Sequence, residues 1–148
     1  MEGETPATMA KSTGLGLMDA SMIFDNLQPD ILVVVGDRFE MMSVTLAAAY
    51  MNIIIVHTMG GEVTGTIDES IRHAITKFAQ IHFPANEDSR QRIIKMGEDP
   101  EFVFNVGCPR TDLVADELKN DSYQVLNSIF KIFGGVGKDF NLKEPYLL

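Results

Sequence analysis

Residues 29–57 read PDILVVVGDRFEMMSVTLAAAYMNIIIVH, and this stretch decides the fold. Its first apolar run, Ile31 to Val35, is β-branched and does not alternate with polar residues, which predicts a strand covered on both faces. The segment from Phe39 to Met51 is rich in Ala, Met and Leu and predicts a buried helix. A second apolar strand follows from Ile53 to Val56. The stretch is therefore predicted to form a βαβ unit with parallel strands.

The same alternation of helix and strand continues on both sides of this unit. A helix is predicted from Thr13 to Leu27, and an amphipathic helix from Ile67 to Ala79 begins at a capping box formed by Thr66 and Glu69. The remaining predicted elements are a strand at 81–83, a helix from Asn86 to Met96, and a strand from Phe102 to Val106. The expected fold class is α/β, a parallel Rossmann-like sheet with helices on both faces, over residues 1–118.

The last thirty residues differ from the rest of the chain. From residue 119 the sequence becomes polar and offers one more amphipathic stretch, Val125 to Phe133. It stops at Pro145-Tyr146-Leu147-Leu148, which is typical of the first residues of a strand. We expect residues 119–148 to form a helix and a connection, and the chain to be a fragment of a longer protein.

Composition narrows the classes of function. The 148 residues are 45% hydrophobic and 22% charged, as in a globular domain, and the net charge of −9 offers no general basic surface for nucleic acid or anionic lipid. The apolar runs are too short to cross a bilayer. The single cysteine, Cys108, cannot form an internal disulfide. These features predict a cytoplasmic protein with no membrane and no nucleic-acid partner.

The carboxyl ends of the strands are the expected place for a ligand. Polar groups follow three of them, at Asp37-Arg38, His57 and Cys108-Pro109-Arg110. The richest segment, residues 57–73, reads HTMGGEVTGTIDESIRH, where glycines allow close backbone approach and a helix N-terminus supplies N–H donors for an anion. Its charged and titratable side chains are those of Glu62, Asp68, Glu69, Arg72 and His73.

Each of these features also has a structural interpretation. Asp68 with Arg72, and Glu69 with His73, are i, i+4 pairs of the kind found on a solvated helix face. His57 is equally well explained as a packed structural histidine or as a ligand-binding one. The spacing contains no pattern of metal ligands, and neither a GxGxxG nor a Walker sequence is present, so we predict no metal and no cofactor. The concentration of polar groups at one strand end favours a functional site.

Seven segments resemble, in order and spacing, the UDP-N-acetylglucosamine 2-epimerases of the hydrolysing type. They are TPATMAKSTGLGLM (5–18), PDILVVVGDRFEM (29–41), AAAYMNIIIVH (47–57), GGEVTGTIDESIRHAITKFA (60–79), IHFPA (81–85), MGEDPEFVFNVGCP (96–109) and PYLL (145–148). The resemblance implies a glycosyltransferase-B-like protein whose two Rossmann-like domains close on a UDP-sugar, and a homo-oligomer at full length. This chain resembles most of the first domain, with residues 119–148 leading towards a second domain that it lacks.

The family reaction implied by this resemblance turns UDP-N-acetylglucosamine into N-acetylmannosamine and UDP, in sialic-acid-type sugar biosynthesis. It proceeds by elimination of UDP and then hydration. Relatives often carry Glu where Met59 stands and His where Gln80 stands, so either Glu62 takes over the missing role or catalysis is impaired. The resemblance, with Glu62 in that role, assigns the following groups: Asp37, Asp68 and Glu62 as catalytic residues, and Arg38, His57, Arg72 and His73 as substrate-binding residues.

Other functions compete with this one. A chain of this fold can be a non-catalytic remnant or a binding module. It can equally belong to an epimerase that acts on a 2,4-diacetamido UDP-sugar, or to the non-hydrolysing type. The segment GGEVTGTIDES favours the hydrolysing branch. We expect the fragment alone to be inactive, because part of one wall of the cleft cannot supply all the groups that stabilise the transition state.

Overall fold

The computed structural model describes residues 5–119, and side chains through residue 116. The chain forms two compact units, Met1–Cys108 and Pro109–Leu148. The predicted helix at 125–133 and the predicted strand start at 145–148 lie outside the described residues. The domain boundary predicted at 118/119 stays a prediction. No helix in residues 5–119 is both long and apolar enough to span a bilayer.

Helices and strands alternate through the first unit, as predicted. The elements are α1 (Pro6–Leu27), β1 (Ile31–Val35), α2 (Phe39–Tyr50), β2 (Ile54–Thr58), α3 (Ile67–Phe78), β3 (Ile81–Phe83), α4 (Glu87–Lys95) and a 3₁₀ turn (Pro100–Phe102), and the second unit begins with α5 (Pro109–Lys119). α1 begins seven residues before its predicted start, because Thr5 and Thr8 form a capping box and Pro6 occupies the first turn.

The sheet is parallel and its strands stand in the order β1-β2-β3. Val34 pairs with His57, and His57 pairs with His82, so these three side chains share one face. On that face α2 and α3 cover the sheet, and Val34, Ile55 and Ile75 form the centre of the core with no exposed surface. The central βαβ unit is confirmed.

One face of β1 is open within the described residues. Ile31, Val33 and Val35 are 53%, 58% and 59% exposed, whereas Val34 is fully buried. The prediction that both faces of this strand are covered is therefore wrong for residues 5–119. An unalternating apolar sequence shows that both faces are apolar, but it does not show which groups cover them.

The predicted strand from Phe102 to Val106 is not formed as a strand. Val103 makes a single parallel bridge to His82, and the chain beyond it donates one hydrogen bond to His82 of β3 and one to Pro84, just after β3. Two causes shorten this ladder. The 3₁₀ turn at Pro100–Phe102 occupies its first residue, and β3 offers only three residues for pairing.

Candidate functional site

The carboxyl end of β1 carries an ion pair that is largely buried. Asp37 lies one residue beyond the Gly36 turn, and its Oδ2 accepts a hydrogen bond from Nη2 of Arg72 on α3. Nη1 of Arg72 donates to the backbone oxygen of Glu62 at 2.7 Å. The Arg72 side chain is only 4% exposed, and this burial lowers its pKa from the ordinary value. The solvated-face interpretation is therefore wrong for Arg72.

His57 lies inside β2 rather than at its end. Its ring is on the helix-covered face and has no exposed surface. Nε2 is 2.9 Å from the backbone oxygen of Gly36, and Nδ1 is 3.2 Å from Oγ1 of Thr76 on α3. Burial is the main reason that the pKa of His57 falls to about 4. Because both nitrogens contact the protein, His57 has no free edge for a ligand, and its predicted substrate contact remains untested.

The loop between β2 and α3 is held by Glu69. The Glu69 carboxylate accepts hydrogen bonds from the backbone N–H of Gly65 at 2.7 Å and of Thr64 at 2.8 Å. These two hydrogen bonds are the main cause of its lowered pKa, to which the nearby His73 also contributes. Thr66 is the N-cap of α3 but makes no side-chain capping bond. The predicted capping box is therefore wrong, because Glu69 binds the loop amides instead of the N-cap residue.

Two carboxylates at this edge are available to a ligand. Asp68 and Glu62 are partly buried and make no side-chain hydrogen bond within residues 5–119. The pKa of Arg38 is raised mainly by its bonds to Glu40 and also by the charge of Asp68, so Asp68 lies within electrostatic reach of Arg38. The Arg38 side chain is 73% exposed. Among the described residues, no group of three His, Cys, Asp or Glu side chains is arranged to hold a metal ion.

The glycine pair after β2 packs against protein. An added Cβ at Gly60 would lie 3.0 Å from Nδ1 of His57 and 3.1 Å from Oγ1 of Thr76. At Gly61, which has a φ of +79°, it would lie 2.4 Å from the backbone oxygen of Ser89 on α4. The predicted close approach therefore exists, but it is made to His57 of β2 and to helices α3 and α4.

A separate groove of about 490 Å³ lies at the opposite edge of the sheet. It is lined by the first residues of β2 and β3 and by the region around Glu98, and contains none of the predicted site residues: the lining is Ile54, Ala79, Gln80, Ile81, His82, Glu98, Asp99 and Phe102. Its walls are mainly apolar. The chemistry predicted from the sequence is therefore concentrated at the carboxyl edge.

Together the fold and this edge define a Rossmann-like sheet protein with a charged site at the ends of its strands. The chain belongs to the UDP-N-acetylglucosamine 2-epimerase family, because residues 1–134 match the model of that family.

Curated relatives of the chain include hydrolysing enzymes. It is 42% identical, over 121 residues, to the UDP-N,N'-diacetylbacillosamine 2-epimerase (hydrolyzing) of Legionella pneumophila, a match that covers 82% of this chain and 32% of the relative. It is 43% identical, over 108 residues, to the GDP/UDP-N,N'-diacetylbacillosamine 2-epimerase (hydrolyzing) of Campylobacter jejuni, covering 72% of this chain and 28% of the relative. The chain thus spans about a third of the length of these relatives.

Solved structures share the fold. The UDP-GlcNAc 2-epimerase of Methanocaldococcus jannaschii matches with a TM-score of 0.75 at 20% identity, over 93% of this chain and 38% of that one. The enzyme of Neisseria meningitidis, solved with UDP-GlcNAc bound, matches with a TM-score of 0.74 at 20% identity, over 90% of this chain and 37% of that one. The predicted fold class, a partial Rossmann-like domain of a glycosyltransferase-B-like fold, is confirmed.

The structure brings most of the predicted site residues to one edge of the sheet. Arg72 donates hydrogen bonds to the carboxylate of Asp37 and to the backbone oxygen of Glu62, and Asp68 acts on Arg38 through its charge. Thr76, which contacts His57, was not predicted from the sequence. The available signal was a hydroxyl four residues after Arg72 in α3, next to the core residue Ile75.

Proposed function

We propose that a protein containing this chain is a hydrolysing UDP-sugar 2-epimerase. A base takes the proton from C2 of the sugar, the bond from C1 to oxygen breaks, and UDP leaves with the electron pair. Water then adds to the resulting double bond, with hydroxyl at C1 and a proton delivered to the opposite face of C2. From UDP-N-acetylglucosamine the products are N-acetylmannosamine and UDP, which would serve sialic-acid-type sugar biosynthesis.

The observation that carries this proposal is the pairing of Asp37 with the buried Arg72 at the carboxyl edge. A carboxylate bound to a guanidinium is favoured in its ionised form, as a base must be. The charge of Asp68 acts on Arg38, whose exposed guanidinium can bind a departing diphosphate. The site therefore combines proton-transfer groups with a cation for the leaving group. We propose that Glu62 and His73 contact the sugar from the neighbouring loop and helix.

A second substrate is favoured by the curated relatives. The names of two relatives, at 42% and 43% identity, specify UDP-N,N'-diacetylbacillosamine, whereas a Neisseria meningitidis relative named UDP-N-acetylglucosamine 2-epimerase is 37% identical over 95 residues. The alternative is therefore the same reaction on a UDP-2,4-diacetamido sugar. The ratio of kcat/KM for the two substrates decides between them.

The catalytic roles predict a specific kinetic effect. In a protein extended to the length of its relatives, Asp37→Asn and Asp68→Asn should each lower kcat by roughly 10²–10⁴-fold and leave KM nearly unchanged, because the loss falls on proton transfer. The measurement is the release of UDP from each UDP-sugar at saturating substrate. Asp19→Asn, which changes an exposed residue of α1, is the matched control and should retain full kcat. Near-normal kcat in both site variants would contradict the proposal.

Met59 tests the rival interpretation of a non-catalytic remnant. It has a φ of +60°, and its N–H donates to the Phe83 oxygen at 2.9 Å. The family resemblance implies that relatives often have Glu at this position. If the missing carboxylate limits the rate, Met59→Glu should raise kcat of the extended protein without improving UDP affinity in calorimetry. A third carboxylate in the segment that carries Glu62 and Asp68 should also move the pH optimum upward through like-charge repulsion.

Met59→Gln is the matched control, since it has the shape of Glu without the charge. Normal turnover with Met59 in place, together with its loss in Glu62→Gln, would identify Glu62 as the acid or base. The interpretation that Met59 impairs catalysis would then be wrong.

A further inference from the structure

Five residues close a ring of contacts around the end of β1, which we call the Asp37 ring: Gly36, Asp37, Arg72, Thr76 and His57. The side chain of Arg72 donates to Asp37, and the backbone oxygen of Arg72 is a possible acceptor for the hydroxyl of Thr76, at 3.0 Å. Thr76 is 3.2 Å from Nδ1 of His57. Nε2 of His57 is 2.9 Å from the oxygen of Gly36, the residue before Asp37.

The acceptor at Gly36 decides the tautomer of His57. A backbone oxygen can only accept, so a hydrogen bond at 2.9 Å requires the proton on Nε2. A neutral ring then has a lone pair on Nδ1, which needs a donor. The hydroxyl of Thr76 is the donor within reach, and its single proton can go either to Nδ1 or to the backbone oxygen of Arg72. The Arg72 oxygen also accepts the backbone N–H of Thr76 in the i→i−4 ladder of α3, whereas Nδ1 contacts no other donor among the described residues, so we assign the hydroxyl proton to Nδ1. Thr76 has no exposed surface, so water does not replace it.

We propose that Thr76 is a positioning residue: it holds His57 in the Nε2–H tautomer, so that His57 and Gly36 fix the Asp37 carboxylate against Arg72. Asp37 is thereby held from two sides: His57 binds the carbonyl of the preceding Gly36, and Arg72 binds the Asp37 side chain. Only the consequence for turnover rests on the proposed function. The geometric part concerns this chain alone.

Gly60 supports the same inference. It lies against both His57 and Thr76, and a Cβ there would be 3.0 Å and 3.1 Å from the two atoms that face each other. A methyl group at this position must therefore push the ring or the hydroxyl away. Gly60→Ala is an independent way to open the contact without removing either polar group.

The geometric part is tested by nitrogen NMR on the ¹⁵N-labelled 148-residue chain at pH 7. We expect His57 to carry its proton on Nε2 and to accept a hydrogen bond at Nδ1. The guanidinium protons of Arg72 should exchange slowly with water, whereas those of the exposed Arg38 should exchange fast. A His57 proton on Nδ1, or a doubly protonated ring, would overturn the proposal without the need for any variant.

The variants separate positioning from packing. Thr76→Val keeps the shape and loses the donor, so the Nδ1 signal should move towards that of a free nitrogen and Arg72 exchange should accelerate at least tenfold. Thr76→Ser keeps the donor and should match the unmodified chain. Gly60→Ala should resemble Thr76→Val. Unchanged Arg72 exchange in folded Thr76→Val would overturn the proposal.

The last test of the proposal measures turnover. In the extended protein Thr76→Val should lower kcat by roughly 10–100-fold with KM within twofold, because a misplaced base slows the chemical step, and Thr76→Ser should retain kcat. Full kcat in Thr76→Val would refute the catalytic consequence. An unmodified extended protein without turnover would instead refute the proposed function, and the NMR result would still decide the geometry.

Discussion

His57 makes the stability of the fold sensitive to acid. Burial lowers its pKa from 6.5 to about 4, so between these values the unfolded chain binds a proton that the folded chain excludes. This difference in proton binding contributes to the free energy of unfolding. That contribution is complete above pH 6.5 and is lost as the pH falls to about 4. A shift of this size corresponds to about 3 kcal/mol. Urea unfolding at pH 7.5 and pH 4.5 measures it.

His57→Gln should reduce the loss of stability on acidification, since the amide cannot take up a proton. His82, whose pKa is also lowered mainly by burial, should keep part of the effect. Ser70→Ala, which changes an exposed residue of α3 without a titratable group, is the control and should leave the difference between the two pH values unchanged. An identical pH dependence in His57→Gln and the unmodified chain would contradict the assignment.

Arg72 shows what residue patterns in the sequence can and cannot predict. Its place among the candidate site residues was predicted from its position in the glycine-rich, charged segment 57–73. Its spacing from Asp68 indicated a solvated face, yet its partners are Asp37, 35 positions away, and the backbone of Glu62. Helix periodicity describes neighbours along one helix, whereas a long side chain can turn into a pocket that other loops create. Thr76 escaped prediction because its partner, His57, lies on β2, and helix periodicity does not describe contacts with another element.

At the scale of elements, α3 and α4 begin differently. Asn86 caps α4 by accepting from the N–H of Ser89 at 2.8 Å, whereas the side chain of Thr66 makes no capping bond to α3. Asn86→Ala should therefore lower the free energy of unfolding by about 1 kcal/mol, and Thr66→Ala by a few tenths at most. Urea unfolding of the two variants measures the difference. Equal losses would show that the cap geometry does not determine stability here.

The sequence predicted the existence of these elements better than their ends. Asn86 and Gly97 bracket α4 as expected, with Gly97 at a φ of +96°. The Thr66 and Glu69 pattern placed the start of α3 correctly but not its chemistry, because the loop amides of Thr64 and Gly65 compete for the same carboxylate. Local sequence rules cannot decide whether a carboxylate binds a helix terminus or a neighbouring loop, since both offer backbone N–H donors.

For the whole molecule, apolar strands separated by helices were sufficient to predict a parallel sheet. They could not predict which strand faces are covered, because Ile31 and Leu32 are equally apolar while only Ile31 is highly exposed. The sequence also predicted a longer ladder of strand pairing after β3 than the structure has. Its length depends on how many residues the neighbouring strand offers, and β3 offers three.

The two-armed contact of Arg72 links the lengths of two loops. One guanidinium nitrogen binds the turn after β1 at Asp37, and the other binds the turn after β2 at Glu62. Lys has a single ammonium group and cannot span both acceptors in this way. An insertion in either turn would move one acceptor away while the other still holds the side chain. Evolutionary change in the two turns is therefore expected to be concerted, with insertions in one compensated by insertions in the other.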